Sequence, residues 1–208
     1  PNLSKAYSDA WSCDKLSAFG GIVALSKKLD IDTARIILKS GFLECIVAPE
    51  YDKKALGLFK DKKNLRILEL NNLNVINEVD FKRIGQGLLL QDKDLAGLNP
   101  KCLRPVTKKT PTKSQIDSLI FGWKVAKHVK SNAIVLTKGT RTVGIGAGQM
   151  SRVESVIIAI RKAGKNSRNS CLASDAFFPK PDSIVCCAKA GIKSIIQPGG
   201  SIADNEII

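Results

Sequence analysis

The sequence holds one histidine and one methionine, and its six cysteines form no Cys-x-x-Cys pair. A single histidine excludes a His-rich zinc site. Aromatic residues make up 5% of the chain, too few for a platform on which single-stranded bases stack. No apolar run reaches bilayer-spanning length, and no basic-then-apolar start marks a signal peptide. No glycine loop ends in Gly-Lys-Ser/Thr, so the P-loop of nucleoside triphosphatases is absent. Acidic side chains are also few, 19 against 33 Lys+Arg, which gives a net charge of +14. The lysines fall in scattered pairs such as Lys27-Lys28 and Lys108-Lys109. That pattern reads as solvated faces with some attraction for anionic ligands, not as a nucleic-acid stripe.

What is present fits a globular α/β chain. With 208 residues, 44% of them hydrophobic, there is enough for one large or two small domains. Helix 3–11, strand 22–25, helix 32–38, strand 43–48, helix 52–60 and strand 65–70 predict parallel strands with helices between them. Residues 71–110 are turn-rich, with Gly85, Gly87 and three prolines up to Pro111. They read as a connector that still packs apolar residues. From Pro111, Thr112 and Gln115 form a capping-box pair, and Ile116, Leu119, Ile120, Trp123 and Ala126 mark one helix face. Further on, strand 171–173, a helix from Asp182 to Gly191 and strand 192–197 are predicted. Cys13, Cys45, Cys102, Cys171, Cys186 and Cys187 sit mostly in apolar stretches and read as buried thiols of a reducing compartment. His128, beside Lys127 and Lys130 on the predicted helix, reads as a bystander and not as a base.

Residues 131–152 carry the strongest functional signal. The run Ala133–Leu136 predicts a strand, Lys138-Gly139-Thr140 a turn, and Val143-Gly144-Ile145 a second strand that breaks into Gly146-Ala147-Gly148-Gln149. Ser151 and Glu154 then start a helix that carries Arg152 in its first turn. Helix N–H groups, the positive end of the helix dipole and a guanidinium would together favour an anion, most simply a phosphate. The plainer alternative is that the glycines serve only a tight turn. The dinucleotide fingerprint fails, because its third glycine falls on Gln149.

Six ordered pieces complete a pattern: Ser17 to Gly21, Ile46 to Pro49, Lys130 to Ala133, Gly144 to Arg152, Ser174 to Pro179, and Gln197 to Ser201. Together they resemble the aminoimidazole carboxamide ribonucleotide (AICAR) formyltransferase part of the bifunctional purine biosynthesis enzymes, nearly end to end. The resemblance implies an α/β fold of two cytidine-deaminase-like three-layer units in tandem, at residues 1–70 and 111–208, with a packed connector over 71–110. It implies formyl transfer from 10-formyltetrahydrofolate to the 5-amine of AICAR, with no metal in the chemistry. It also implies a cytoplasmic homodimer whose sites form at the subunit boundary, with no nucleic-acid or membrane partner. The zinc ligands of true cytidine deaminases are absent.

By that resemblance Asn132 is the catalytic side chain, close to the amine and carboxamide. Arg152 holds the 5′-phosphate, Phe19 and Gly20 line the imidazole pocket, Glu44 bonds the nucleotide, and Phe177 shapes the place where the substrates meet. Val153, Asp182, Ser201 and Ile202 approach the folate. Each has a plainer reading: Phe19 and Phe177 as core aromatics, Glu44 as a solvated strand-end charge, Asp182 as a helix cap. Lys15-Leu16 and Lys180-Pro181 depart from the family pattern. The family's general base, a histidine in a Lys-His-x-Asn-Pro-Cys-Gly motif, and its C-terminal tail are expected outside these 208 residues. The chain therefore reads as a central segment of the transferase. The alternative is a non-catalytic fragment or paralogue that keeps the fold and binds a nucleotide.

Overall fold

A computed structural model describes residues 2–71 and 79–208. The chain packs as two compact units: Pro1–Phe19, Lys39–Gly41 and Leu98–Ile208 form one, Gly20–Leu38 and Phe42–Gly97 the other. These bounds differ from a division at residues 70 and 110. The N-terminal helix α1 (Leu3–Cys13) belongs with the C-terminal half of the sequence, where Asp9 pairs with Arg141 and Asp14 with Lys162.

The smaller unit contains β1 (Gly21–Ala24), α2 (Ile31–Lys39), β2 (Leu43–Ala48), α3 (Lys53–Leu58) and β3 (Arg66–Glu69), with the last residue of α2 assigned to the other unit. Its three strands pair in parallel in the order β1-β2-β3, as the alternation of strands and helices predicts. Leu29, Ala34, Ile37, Ile46, Ala48, Ala55 and Phe59 make its core. The Tyr51 hydroxyl lies 2.9 Å from the carbonyl oxygens of both Ile46 and Leu68 and ties β2 to β3.

The same unit carries an antiparallel hairpin, β4 (Val79–Ile84) and β5 (Gly87–Asp92), turned through Gly85 at φ +53°. Two residues between strands, with a left-handed glycine, are what a tight hairpin needs. Of the stretch read as a packed connector, Leu98 and Leu103 pack against the core around Leu119, whereas the hairpin does not. Every hairpin residue is exposed, Phe81 at 70% and Leu90 at 65% included. An isolated two-stranded ribbon has no third layer to cover its apolar side chains. Of the turn-rich stretch read from residue 71, residues 72–78 lie outside the described residues.

The larger unit is built on a four-stranded sheet in the order β7-β6-β8-β9, from β6 (Ile134–Lys138), β7 (Arg141–Gly146), β8 (Cys171–Ser174) and β9 (Ser194–Ile196). β6 runs antiparallel to β7 and β8, and β8 pairs with β9 in parallel. Alternate side chains of β6 feed two cores. Ile134 and Leu136 join Val156 and Ala159 of α5 (Arg152–Ala163) and Cys187 of α6 (Asp182–Lys189). Val135 joins Leu119 and Ala126 of α4 (Lys113–Ala126). Helices thus cover both faces of the sheet. The Thr112/Gln115 capping box opens α4 as its sequence predicts. A short α7 (Asp204–Ile207), not expected from the sequence, ends the chain. Cys171 and Cys187 are buried, but Cys102 is exposed at the end of a 3₁₀ turn, contrary to the buried-thiol expectation.

Candidate functional site

Loops from all four strands of the larger unit meet at one end of the sheet. β6 starts there and β7, β8 and β9 end there, because Ile134 pairs with both Gly146 and Ser174, and Ala173 pairs with Ile196. That end therefore collects Asn132, Gly148 to Met150, the start of α5, Ser174 to Phe178, and Gln197. It corresponds to the edge where open α/β sheets hold their ligands.

Arg152 is the centre of this collection. It sits at the first position of α5 and is buried. Its Nη1 donates to Ser174 Oγ at 2.9 Å and to Asp175 Oδ1, and its Nη2 donates to Asn132 Oδ1 at 2.8 Å. Asn132 is held from every side. Its Nδ2 donates to the carbonyls of Gln149 (2.9 Å) and Met150 (3.3 Å), and its own carbonyl accepts from Ser155 Oγ at 2.8 Å. Asp175 Oδ1 accepts the Ala133 N–H at 3.1 Å, and the Asp175 N–H donates to the Ala133 carbonyl at 3.2 Å. The Gly148 N–H closes the loop onto the Lys130 carbonyl at 2.8 Å, with Gly148 at φ +68°.

The charges balance locally. The Arg152 and Asp175 side chains are 8% and 17% exposed. Burial alone would raise the Asp175 pKa. Hydrogen bonds from Ser131, Arg152 and the Ala133 N–H, with the charge of Arg152, outweigh burial and hold the carboxyl below its ordinary range.

The glycines of this stretch have a different use from the one their sequence suggests. Gly144 and Gly146 lie inside β7, where a Cβ would fall 2.2 Å from the Ala159 carbonyl oxygen and 1.9 Å from that of Ser155. They let α5 lie directly on the strand. At the start of α5, Ser151 Oγ accepts the Glu154 N–H at 3.3 Å and donates to the Glu154 carboxylate at 2.9 Å. The cap forms, with the carboxylate answering the hydroxyl.

Of the residues singled out from the sequence, Asn132 and Arg152 are in direct contact. Val153 follows Arg152 and is half-buried. Phe177 is 41% exposed, whereas its neighbour Phe178 is wholly buried and donates its N–H to Gln197 Oε1 at 3.0 Å, joining the two loops. Asp182 is exposed in the first turn of α6 and accepts the Ser183 N–H at 2.6 Å. Ser201 caps the following turn through the Ala203 N–H, and Ile202 is fully exposed. Phe19 is 73% exposed, which removes its plainer reading as a core aromatic. Gly20 and Glu44 belong to the smaller unit, where Glu44 pairs with Arg66. His128 is exposed in the turn after α4. Sequence reading passed over Ser155, and it took Ser174 to Pro179 as a motif without giving Ser174 or Asp175 a role of its own. Among the described residues no group of His, Cys, Asp and Glu could hold a metal ion, and no helix is long and apolar enough to cross a membrane.

Comparison with known proteins adds the family context. The AICARFT/IMPCHase bienzyme family model matches residues 1–162. The bifunctional purine biosynthesis protein PurH of Sorangium cellulosum (strain So ce56) is 51% identical over 210 residues, covering 100% of this chain and 40% of that protein. The PurH proteins of Xylella fastidiosa (strain 9a5c) and Thermoanaerobacter sp. (strain X514) are 50% and 49% identical over 208 and 203 residues, each again covering 40% of its own length. The chain thus spans about two fifths of the length of the curated relatives it matches.

Proposed function

The chain belongs to the AICARFT/IMPCHase bienzyme family, and from that premise we propose that its larger unit forms part of an AICAR formyltransferase site. The reaction joins the 5-amine of AICAR to the formyl carbon of 10-formyltetrahydrofolate. The amine nitrogen forms the new C–N bond and loses a proton, while the bond from the formyl carbon to the folate nitrogen breaks and that nitrogen gains a proton. The amine is conjugated with the imidazole ring and is a poor nucleophile, so it must be oriented and its proton accepted.

The observation that carries the reading is the Asn132–Arg152–Asp175 cluster at the sheet end. Both Nδ2 contacts of Asn132 go to backbone carbonyls, while Oδ1 accepts one bond from Arg152 and keeps a second lone pair. Asn132 therefore faces a ligand as an acceptor, suited to the N–H of the substrate amine. Arg152 gives three bonds to protein out of a guanidinium's five donors. The rest, at the start of α5, suit the nucleotide phosphate. Asn132 is no base at neutral pH, and the only histidine, His128, is exposed beyond α4. Neither side chain is therefore assigned as the proton acceptor.

Exposed Phe177 and Ile202, half-buried Val153 and the Asp182 carboxylate fit the folate, whose pteridine offers a flat apolar face and ring N–H groups. For Phe19, Gly20 and Glu44 the family resemblance supports a contact with the nucleotide. A cytoplasmic homodimer with sites at the subunit boundary belongs to the same proposal. The test is calorimetric titration of the chain with AICAR. Arg152→Ala is expected to weaken binding by roughly 1.5–3 kcal/mol, the loss of charge-assisted hydrogen bonds. Unchanged affinity would refute the reading.

A further inference from the structure

We infer that Asp175 is the positioning residue of this site: through Arg152 it fixes Asn132 with its oxygen, not its nitrogen, turned to the nucleotide. The inference rests on the nucleotide reading given above and deepens it.

An asparagine amide has two orientations of nearly the same shape, related by exchange of oxygen and nitrogen. Its neighbours decide between them. Arg152 can only donate, so its Nη2 contact at 2.8 Å requires oxygen on that side. The Gln149 and Met150 carbonyls can only accept, so they require nitrogen on the other. Arg152 stays in place because its buried charge is answered by the Asp175 carboxylate, with Ser174 Oγ as the remaining partner on Nη1. A buried guanidinium without its carboxylate would turn toward water. Asp175 also grips the backbone next to Asn132, accepting the Ala133 N–H at 3.1 Å and giving its own N–H to the Ala133 carbonyl at 3.2 Å. One aspartate thus holds both the main chain and the side-chain orientation of Asn132. An acceptor so fixed selects for a ligand that brings an N–H, as the 5-amine of AICAR does.

The experiment compares AICAR with its analogue lacking the 5-amine, by calorimetry on the 208-residue chain. The unsubstituted chain is expected to favour AICAR by about 10-fold, the value of one well-made hydrogen bond. Asp175→Asn should erase that preference while shifting the deamino analogue less than about 2-fold. A purely structural role would weaken both ligands alike, and that result overturns the inference. Should Asp175→Asn not fold by circular dichroism, Asp175→Glu keeps the charge but displaces Arg152 by a methylene. It should cut the preference at least about 3-fold, and a full preference there counts against the inference. Arg152→Ala and Asn132→Ala separate the two layers. If both leave AICAR binding intact, or the unsubstituted chain binds none, the nucleotide reading and the inference fail together. If both abolish the preference and Asp175→Asn does not, the inference alone fails.

Discussion

A Cβ on Gly146 would lie 1.9 Å from the Ser155 carbonyl oxygen, so the strand that ends at the site and the helix that begins there touch backbone to backbone. Ser155 in turn donates its hydroxyl to the Asn132 carbonyl. The close approach of β7 and α5 is therefore one of the dimensions that place Asn132 and Arg152 together. Gly146→Ala cannot be absorbed by a rotamer, because the obstacle is main chain. It is expected to cost roughly 3 kcal/mol in urea unfolding, the upper range of overpacking, and to shift α5. Gly97→Ala, with nothing within 4 Å, serves as the control and should unfold like the parent. A Gly146→Ala midpoint equal to that of the control would show that α5 is not held against the strand.

The buried pair makes a second prediction. Arg152→Ala leaves the Asp175 carboxylate largely enclosed without its counter-charge, which is expected to destabilise the fold by about 2–4 kcal/mol. Combining it with Asp175→Asn removes the stranded charge, so the double variant should be more stable than Arg152→Ala alone. Additive losses in the double-mutant cycle would mean that the two side chains do not depend on each other.

Acid should act through the same carboxylate. Asp175 has a pKa lowered on folding. Its stabilising contribution is thus complete above the unfolded-state value, near about 3.9, and is lost as pH falls through the folded value. Asp14 behaves alike, for burial raises its pKa but hydrogen bonds from Lys162 and Ser17 more than compensate. Unfolding free energy should be flat from pH 7 to about 5 and then fall below about pH 4. In Asp175→Asn the acid slope should be shallower. An identical slope in the two proteins would assign acid lability to other groups.

The fold was legible in the sequence wherever a local rule governs it. Thr112 and Gln115 cap α4, and the alternating apolar runs give the parallel order of β1, β2 and β3. The sequence could not say which elements pack together. Nothing local to Leu3–Cys13 shows that it joins a sheet more than a hundred residues later, because that depends on long-range packing of Asp9 and Asp14 with Arg141 and Lys162. The site was half legible. A glycine stretch before a capped helix marked Arg152, yet Gly144 and Gly146 proved to be packing residues. Asp175 fell inside the Ser174–Pro179 motif but received no role, because an aspartate after a strand has no periodicity to read. Its meaning appears only when the register of β6 and β8 sets it against Ala133.

The thiols give the last prediction. Burial, with a smaller push from neighbouring Cys186, raises the Cys187 pKa to about 12, and its side chain is almost fully enclosed. At pH 8 only about one molecule in ten thousand would carry the Cys187 thiolate, the form that reacts. Cys13 is also shifted up, chiefly by burial. Cys102 is exposed, so reagent reaches it in the native chain. An aromatic disulfide reagent added to the native chain at pH 8 should therefore label Cys102 first. Cys187 should react only after denaturant is added, since it needs both access and a thiolate. Cys102→Ser should remove the fast phase and leave the denaturant-dependent phase intact. A fast phase that survives Cys102→Ser, traced by peptide mapping to Cys187, would mean that α6 opens readily in the native state. The packing of α6 against Ile134, Val156 and Leu172 would then be far weaker than the enclosed core indicates.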